Sequence, residues 1–170
     1  MEQHRAKKSL SQAEISERIA VLRRFKALLM QQRNKFAEYL QVLEAQENSI
    51  VSEDADKIVQ HTYLGQSLVS EISTIQKVIE PIESLYHDFR IQSADFSPDA
   101  LQNEERETRC IQMDLQRLKT TVLEQNQKNT ERLKTHLTGL RKQISDLKLL
   151  QTTKNPFESD ETAALIDLEV

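Results

Sequence analysis

Four histidines and one cysteine are the residues of this chain best suited to nucleophilic or metal chemistry, and their spacing brings none of them together. His4, His61, His87 and His136 stand far apart, with no cysteine or acid at ligand spacing, so no metal site is expected. Two glycines in 170 residues leave no glycine-rich loop to cradle a phosphate, and no cofactor is expected either. Cys110 lies among charged residues in a helix-forming stretch and reads as a plain half-buried thiol without a paired base. An enzyme is therefore the least favoured class. What the sequence does offer is burial. Leu133, Leu137, Leu140, Ile144 and Leu147 recur at spacings of four and three, which sets them along one face of a helix. Asn126 and Asn129 stand immediately before that row.

Composition says which elements can carry such a row. Charged residues make up 29% of the chain and tryptophan is absent, while two glycines and three prolines permit few breaks. Long helices follow, each burying one narrow stripe, and the expected class is all-α: an elongated antiparallel coiled-coil bundle of three long helices with an acidic C-terminal tail. A single cysteine excludes an internal disulfide. The charged start "MEQHRAKKSL" resembles no signal sequence, and no apolar run approaches bilayer length, so no stable membrane insertion and a cytoplasmic location are expected. A net charge of -4 argues against nucleic acid as a partner.

Residues 1–10 form an N-terminal segment, and one helical domain is expected over 11–151. Ser11 and Glu14 make a capping box, after which Ile15, Leu22, Leu29, Phe36, Leu43 and Ile50 fall seven apart, predicting a first helix over about 12–49. In "SIVSEDAD" Ser52 offers a second cap, and Ile58, Leu68, Ile72, Ile75, Ile79 and Ile82 predict a helix over about 53–90. The short connection makes the two antiparallel neighbours. Pro81 is expected to kink the second helix. Ser97, Pro98 and Asp99 then read as cap, first helical position and first-turn acid of a third helix over about 98–151, roughly 80 Å long at 1.5 Å per residue. Each earlier helix is near 55 Å by the same measure, so the third must overhang or bend, and its row after Asn129 is left without a partner in its own chain.

Between Asp114 and Lys154 nine Lys or Arg face four acids, whereas residues 152–170, read as the tail, carry five acids together with Leu165, Ile166, Leu168 and Val170, enough for a short docking segment. A leucine row of this kind is more often bundle core, or the seam of a homodimeric scaffold or tether, than a recruitment face. The asparagines fix a register or are simply tolerated, and Gly139 marks a close approach or weakens the helix.

Three stretches carry a family resemblance: the heptad helix "ISERIAVLRRFKALLMQQRNKFAEYLQVLEAQENSI" followed at once by "VSEDADKI", the helix "LGQSLVSEISTIQKVIEPIESL", and "LEQNQKNTERLKTHLTGLRKQI" with its two asparagines ahead of an amphipathic stretch. Together they resemble the FlgN-type flagellar export chaperones, and "NPFESDETAALIDLEV" is similar in style to tails of spirochaete members. The resemblance implies a cytoplasmic type III export chaperone that binds the terminal helices of the hook-associated proteins FlgK and FlgL, prevents their premature assembly and delivers them to the flagellar export apparatus. It also implies that Asn126, Asn129, Leu133, Leu137, Leu140, Ile144 and Leu147 form the partner-binding set.

Overall fold

The computed structural model describes residues 11–92 and 99–154, and every one of its elements is a helix: α1 (Gln12–Val51), α2 (Ala55–Gln92) and α3 (Asp99–Lys154). The protein is thus all-α, built from three long helices, as the seven-residue pattern requires. Residues 1–10, the cap at Ser97 and Pro98, and the acidic segment 155–170 lie outside the described residues.

α1 starts where the capping box places it. Ser11 Oγ accepts from the Glu14 amide at 3.3 Å, and Glu14 Oε2 accepts from the Ser11 amide at 2.7 Å. Its other end corrects the expectation for Ser52. That residue closes α1, and the cap of α2 is Asp54, whose Oδ1 accepts from the Lys57 amide at 3.1 Å. Asp54 immediately precedes the first turn of α2, where a carboxylate answers the free amides and the helix dipole, and Asp56 adds a second acid within that turn. The hydrogen bond and ion pair from the Lys57 side chain, 2.7 Å away, and the Lys57 amide hold its carboxyl below the usual range. Between the helices the chain turns through Glu53 at φ 57°, with the Asp54 amide bonded to Ser49 O and the Glu53 amide to Ile50 O. This is the Schellman closure, with a glutamate standing where glycine is usually found.

Pairs between α1 and α2 step in opposite directions: Ser49 with His61, Gln46 with Thr62, Lys35 with Glu71, Gln32 with Gln76, Phe25 with Tyr86, Arg18 with Phe89. The two helices are therefore antiparallel. α2 runs on through Pro81 to Gln92, so the proline does not end it. Pairs between α1 and α3 step in the same direction, from Arg23 with Glu104, through Phe36 with Lys119, to Glu47 with Lys128. Leu22, Phe25 and Leu29 of α1 meet Ile75 and Ile79 of α2 and Leu101 and Leu115 of α3 in the apolar core. Gly65 of α2 marks a close approach, since a Cβ there would meet Tyr39 Cε2 of α1 at 3.2 Å.

Residues 11–129 form one compact unit and the chain from Thr130 a second. In the first, α3 contributes a strict seven-residue line of buried positions: Leu101, Thr108, Leu115, Val122 and Asn129. In the second, α3 is helical to Lys154.

Candidate functional site

None of the histidines or the cysteine builds a catalytic group among the described residues. Cys110 is exposed, a correction to the half-buried position expected for it, and among the described residues no group of three metal-ligating side chains converges. Ser49 Oγ and His61 Nδ1 lie 3.3 Å apart, superficially a nucleophile and its base. Ser49, however, is buried and donates to Ala45 O at 3.0 Å. Its proton is committed to a carbonyl, and the contact with His61 ties α1 to α2. A groove between these helices is lined by the apolar Val42, Ala45, Leu64 and Leu68 and by polar side chains that include His61 and the Lys35–Glu71 ion pair.

The asparagine pair divides. Asn129 is 1% exposed, and its Nδ2 donates to Leu43 O at 2.7 Å and to Gln46 Oε1 at 3.1 Å, while its Oδ1 accepts from Gln125 Nε2 at 3.1 Å. Gln46 Nε2 in turn donates to Thr62 Oγ1 at 3.0 Å, which places all three helices in one polar chain: Asn129 of α3, Gln46 of α1 and Thr62 of α2. A carboxamide so enclosed holds register and offers nothing to a partner's surface. Asn126, three residues earlier, is exposed on the rim of a shallow groove beside Tyr39 and Gln46.

Beyond Asn129 burial changes abruptly while helix and period persist. Leu133 is half-buried, and Leu137, Leu140, Ile144 and Leu147 are 51%, 40%, 52% and 60% exposed. Leu149 and Leu150 are exposed as well. The row therefore survives as a surface feature. It is also not a continuation of the bundle seam. The buried line 101, 108, 115, 122, 129 continues by sevens to His136 and Gln143, and the companion line 104, 111, 118, 125 to Arg132 and Gly139. Neither line takes in a leucine of the row. The phase changes because the spacing from Gln125 through Asn129 and Leu133 to Leu137 is four each time, where a heptad alternates three and four. That repeated four was the sequence signal for a change of face at Asn129, and grouping the two asparagines with the row passed over it.

Charge surrounds the row. From Thr130 to Lys154 there are six Lys or Arg (Arg132, Lys134, Arg141, Lys142, Lys148 and Lys154) against Glu131 and Asp146. The arrangement presents an aliphatic strip of helical period flanked by cations, the form of surface that takes up an amphipathic helix bearing acids.

No family model matches the chain, and no solved structure matches it. A protein of Treponema pallidum (strain Nichols), whose name states only that it is uncharacterized, is 32% identical over 161 residues, which span 95% of this chain and 97% of that one.

Proposed function

The chain belongs to one family with the Treponema pallidum protein, and we propose that it is a cytoplasmic export chaperone whose α3 row shields the terminal helices of hook-associated proteins before filament assembly. The observation that supports this reading is the exposed row Leu137, Leu140, Ile144 and Leu147 on a face of α3 that the bundle seam does not use. The resemblance to FlgN-type chaperones supplies the client class, FlgK and FlgL, and the destination, the flagellar export apparatus. No helix among the described residues is long and apolar enough to cross a membrane, which agrees with a role away from the bilayer core.

In this reading α1, α2 and α3 to Asn129 form a platform, and the row after it receives the client. A client's terminal helix gives the row the apolar cover that it will itself receive from neighbouring subunits once assembled. Because such a segment folds as it binds, part of the contact energy is used in ordering it, and release at the export apparatus stays accessible. Leu133 is half-buried and belongs to the edge of the face, Asn126 is exposed beside Tyr39 and Gln46, and Asn129 acts from inside the bundle by fixing register.

A homodimeric scaffold is the competing reading, and charge disfavours it at this face. Two copies joined along the row bring the same excess of cations together. The test is capture of purified FlgK or FlgL terminal-helix peptides by the intact chain, by Leu137→Asp and by Ile144→Asp, with light scattering on each. Each substitution forfeits burial worth about 1.5–3 kcal/mol and introduces a charge into the interface, so affinity falls at least about tenfold. Capture by both variants as strong as by the parent removes the row from the site. A stable dimer that Ile144→Asp dissolves favours the scaffold.

A further inference from the structure

We infer that residues 155–170 cover the leucine row of their own chain when no client is bound, so that a client gains the row by displacing them. The inference rests on the reading of the row as the client face and adds its regulation.

Charge complementarity is the first support. Residues 130–154 carry six Lys or Arg against two acids, and residues 155–170 carry Glu158, Asp160, Glu161, Asp167 and Glu169 with no Lys or Arg. The second is apolar content: Leu165 and Leu168, three apart, share a face if that stretch is helical, and Ile166 and Val170 add to its apolar surface. The row needs such a counterpart, with Leu137, Ile144 and Leu147 each at least half exposed.

Reach is the third. From Lys154 back to Leu137 is 17 residues of helix, about 26 Å at 1.5 Å per residue. Leu165 follows Lys154 by 11 residues, a span of up to about 36 Å when extended. It can therefore reach any part of the row. The geometry also permits reversal: α3 ends at Lys154, and Asn155 precedes Pro156, a position biased away from helical conformation.

A segment tethered this closely acts at an effective concentration on the order of millimolar, so a contact too weak to hold between separate molecules is populated within one. A client then meets an apparent affinity reduced by the fraction of chains whose row is open.

The test uses the full chain and the double variant Leu165→Asp/Leu168→Asp. Three quantities are compared: amide hydrogen exchange over residues 137–150, fluorescence of 1-anilinonaphthalene-8-sulfonate, and affinity for a synthetic FlgK terminal-helix peptide. Circular dichroism confirms equal helix content. The expected result is exchange several-fold faster, dye fluorescence at least doubled and peptide affinity about threefold to tenfold tighter in the variant. Equal exchange and dye binding in the two chains overturns the inference, even if both capture the peptide and so support the client reading. Faster exchange and stronger dye binding in the variant, with no peptide captured by either chain, supports self-coverage and rejects the client. Protection in the parent that disappears on dilution overturns the inference in favour of a second copy as the cover.

Discussion

Replacing Asn129 by alanine tests whether the boundary of the bundle is held by a buried amide. The side chain is 1% exposed and makes two donor contacts, to Leu43 O and Gln46 Oε1, and accepts one from Gln125. Alanine removes all three. The Leu43 carbonyl keeps its α1 partner, and Gln125 keeps its bond to Glu47 Oε2 at 2.6 Å, so the main loss falls on Gln46 Oε1, left in the interior without its Asn129 donor. An orphaned buried acceptor costs about 1–3 kcal/mol. With the lost packing, a destabilisation of about 2 kcal/mol is expected, or about 4–8 °C in Tm for a chain of this size. Urea unfolding followed by circular dichroism measures it. Asn126→Ala serves as the comparison and stays within about 0.5 kcal/mol, as exposed substitutions do. Removing both interior partners in Asn129→Leu/Gln46→Leu recovers a part of the loss, because no acceptor is then stranded at that pair. An Asn129→Ala effect below about 0.5 kcal/mol, or one matched by Asn126→Ala, refutes the assignment of the asparagine to register. At a temperature where the variant is fully folded, client affinity is unchanged, since the side chain has no surface to give.

Glu53→Gly relieves a non-glycine residue held at φ 57° and raises stability by about 1 kcal/mol in thermal unfolding; no gain would mean that Glu53 has compensating contacts worth as much. Glu104 receives Lys26 at 2.5 Å and Arg23 at 2.9 Å, and these bonds, Lys26 first, hold its carboxyl below the ordinary value of 4.5. Its folded pKa is depressed, so its contribution is complete above about pH 4.5 and fades as pH falls through the lowered value. Glu104→Gln therefore lowers the urea midpoint at pH 7 and converges with the parent in acid below the carboxylate range, and a difference independent of pH would point to packing instead of charge. Gly139→Ala, with nothing within 4 Å of the new methyl group, stabilises the helix by about 0.5–1 kcal/mol. Gly65→Ala gains less, because its Cβ meets the Tyr39 ring at 3.2 Å, and equal gains at the two glycines would dissolve that distinction.

The helices were legible because burial in a long coil repeats every seven residues, and Leu22, Leu29, Leu43 and Ile50 are buried where the period puts them. Their ends were legible where a cap is local, as at Ser11 and Glu14. The start of α2 was read two residues early because Ser52 and Asp54 are both good caps, and the choice depends on where the Schellman turn through Glu53 closes. The polar seam was illegible. Arg18, Gln32, Gln46 and Asn129 look like surface residues by type and lie in the interior because partners arrive from other helices: Phe89 O, Gln76, Thr62 and Leu43 O. No single-helix pattern shows those partners. Arg18 illustrates the reason well, since its guanidinium bonds a carbonyl in the last turn of α2 at 3.2 Å and lies 5.1 Å from the Phe89 ring, so the charge is answered by a helix end and a π face.

Helix formation alone does not account for the row after Asn129. Lysine, glutamate and glutamine sustain a helix about as well as leucine does, and would leave this stretch better solvated. Five large aliphatic residues placed at alternating spacings of four and three, with polar residues between them, carry a cost in exposed apolar surface that only burial offsets. The seven-residue line of the bundle seam does not include these residues; it continues onto His136, Gln143, Arg132 and Gly139, a different face of the same helix. On the proposed reading the cover comes from another segment, and the flanking cations favour an acidic amphipathic segment over a like-charged copy. If residues 155–170 and the proposed client are the row's two occupants, they compete for one surface by the same two interactions. A substitution such as Leu140→Asp, which removes the apolar surface from both, lowers client affinity and also loosens the tail contact, so that amide exchange over residues 137–150 speeds up. Replacing Lys134 and Arg141, which border the row on the helix, by glutamine weakens both contacts and leaves their ratio nearly constant. If that charge substitution instead abolishes client capture while dye binding to the free chain stays the same, the two occupants do not share the face and the competition argument fails.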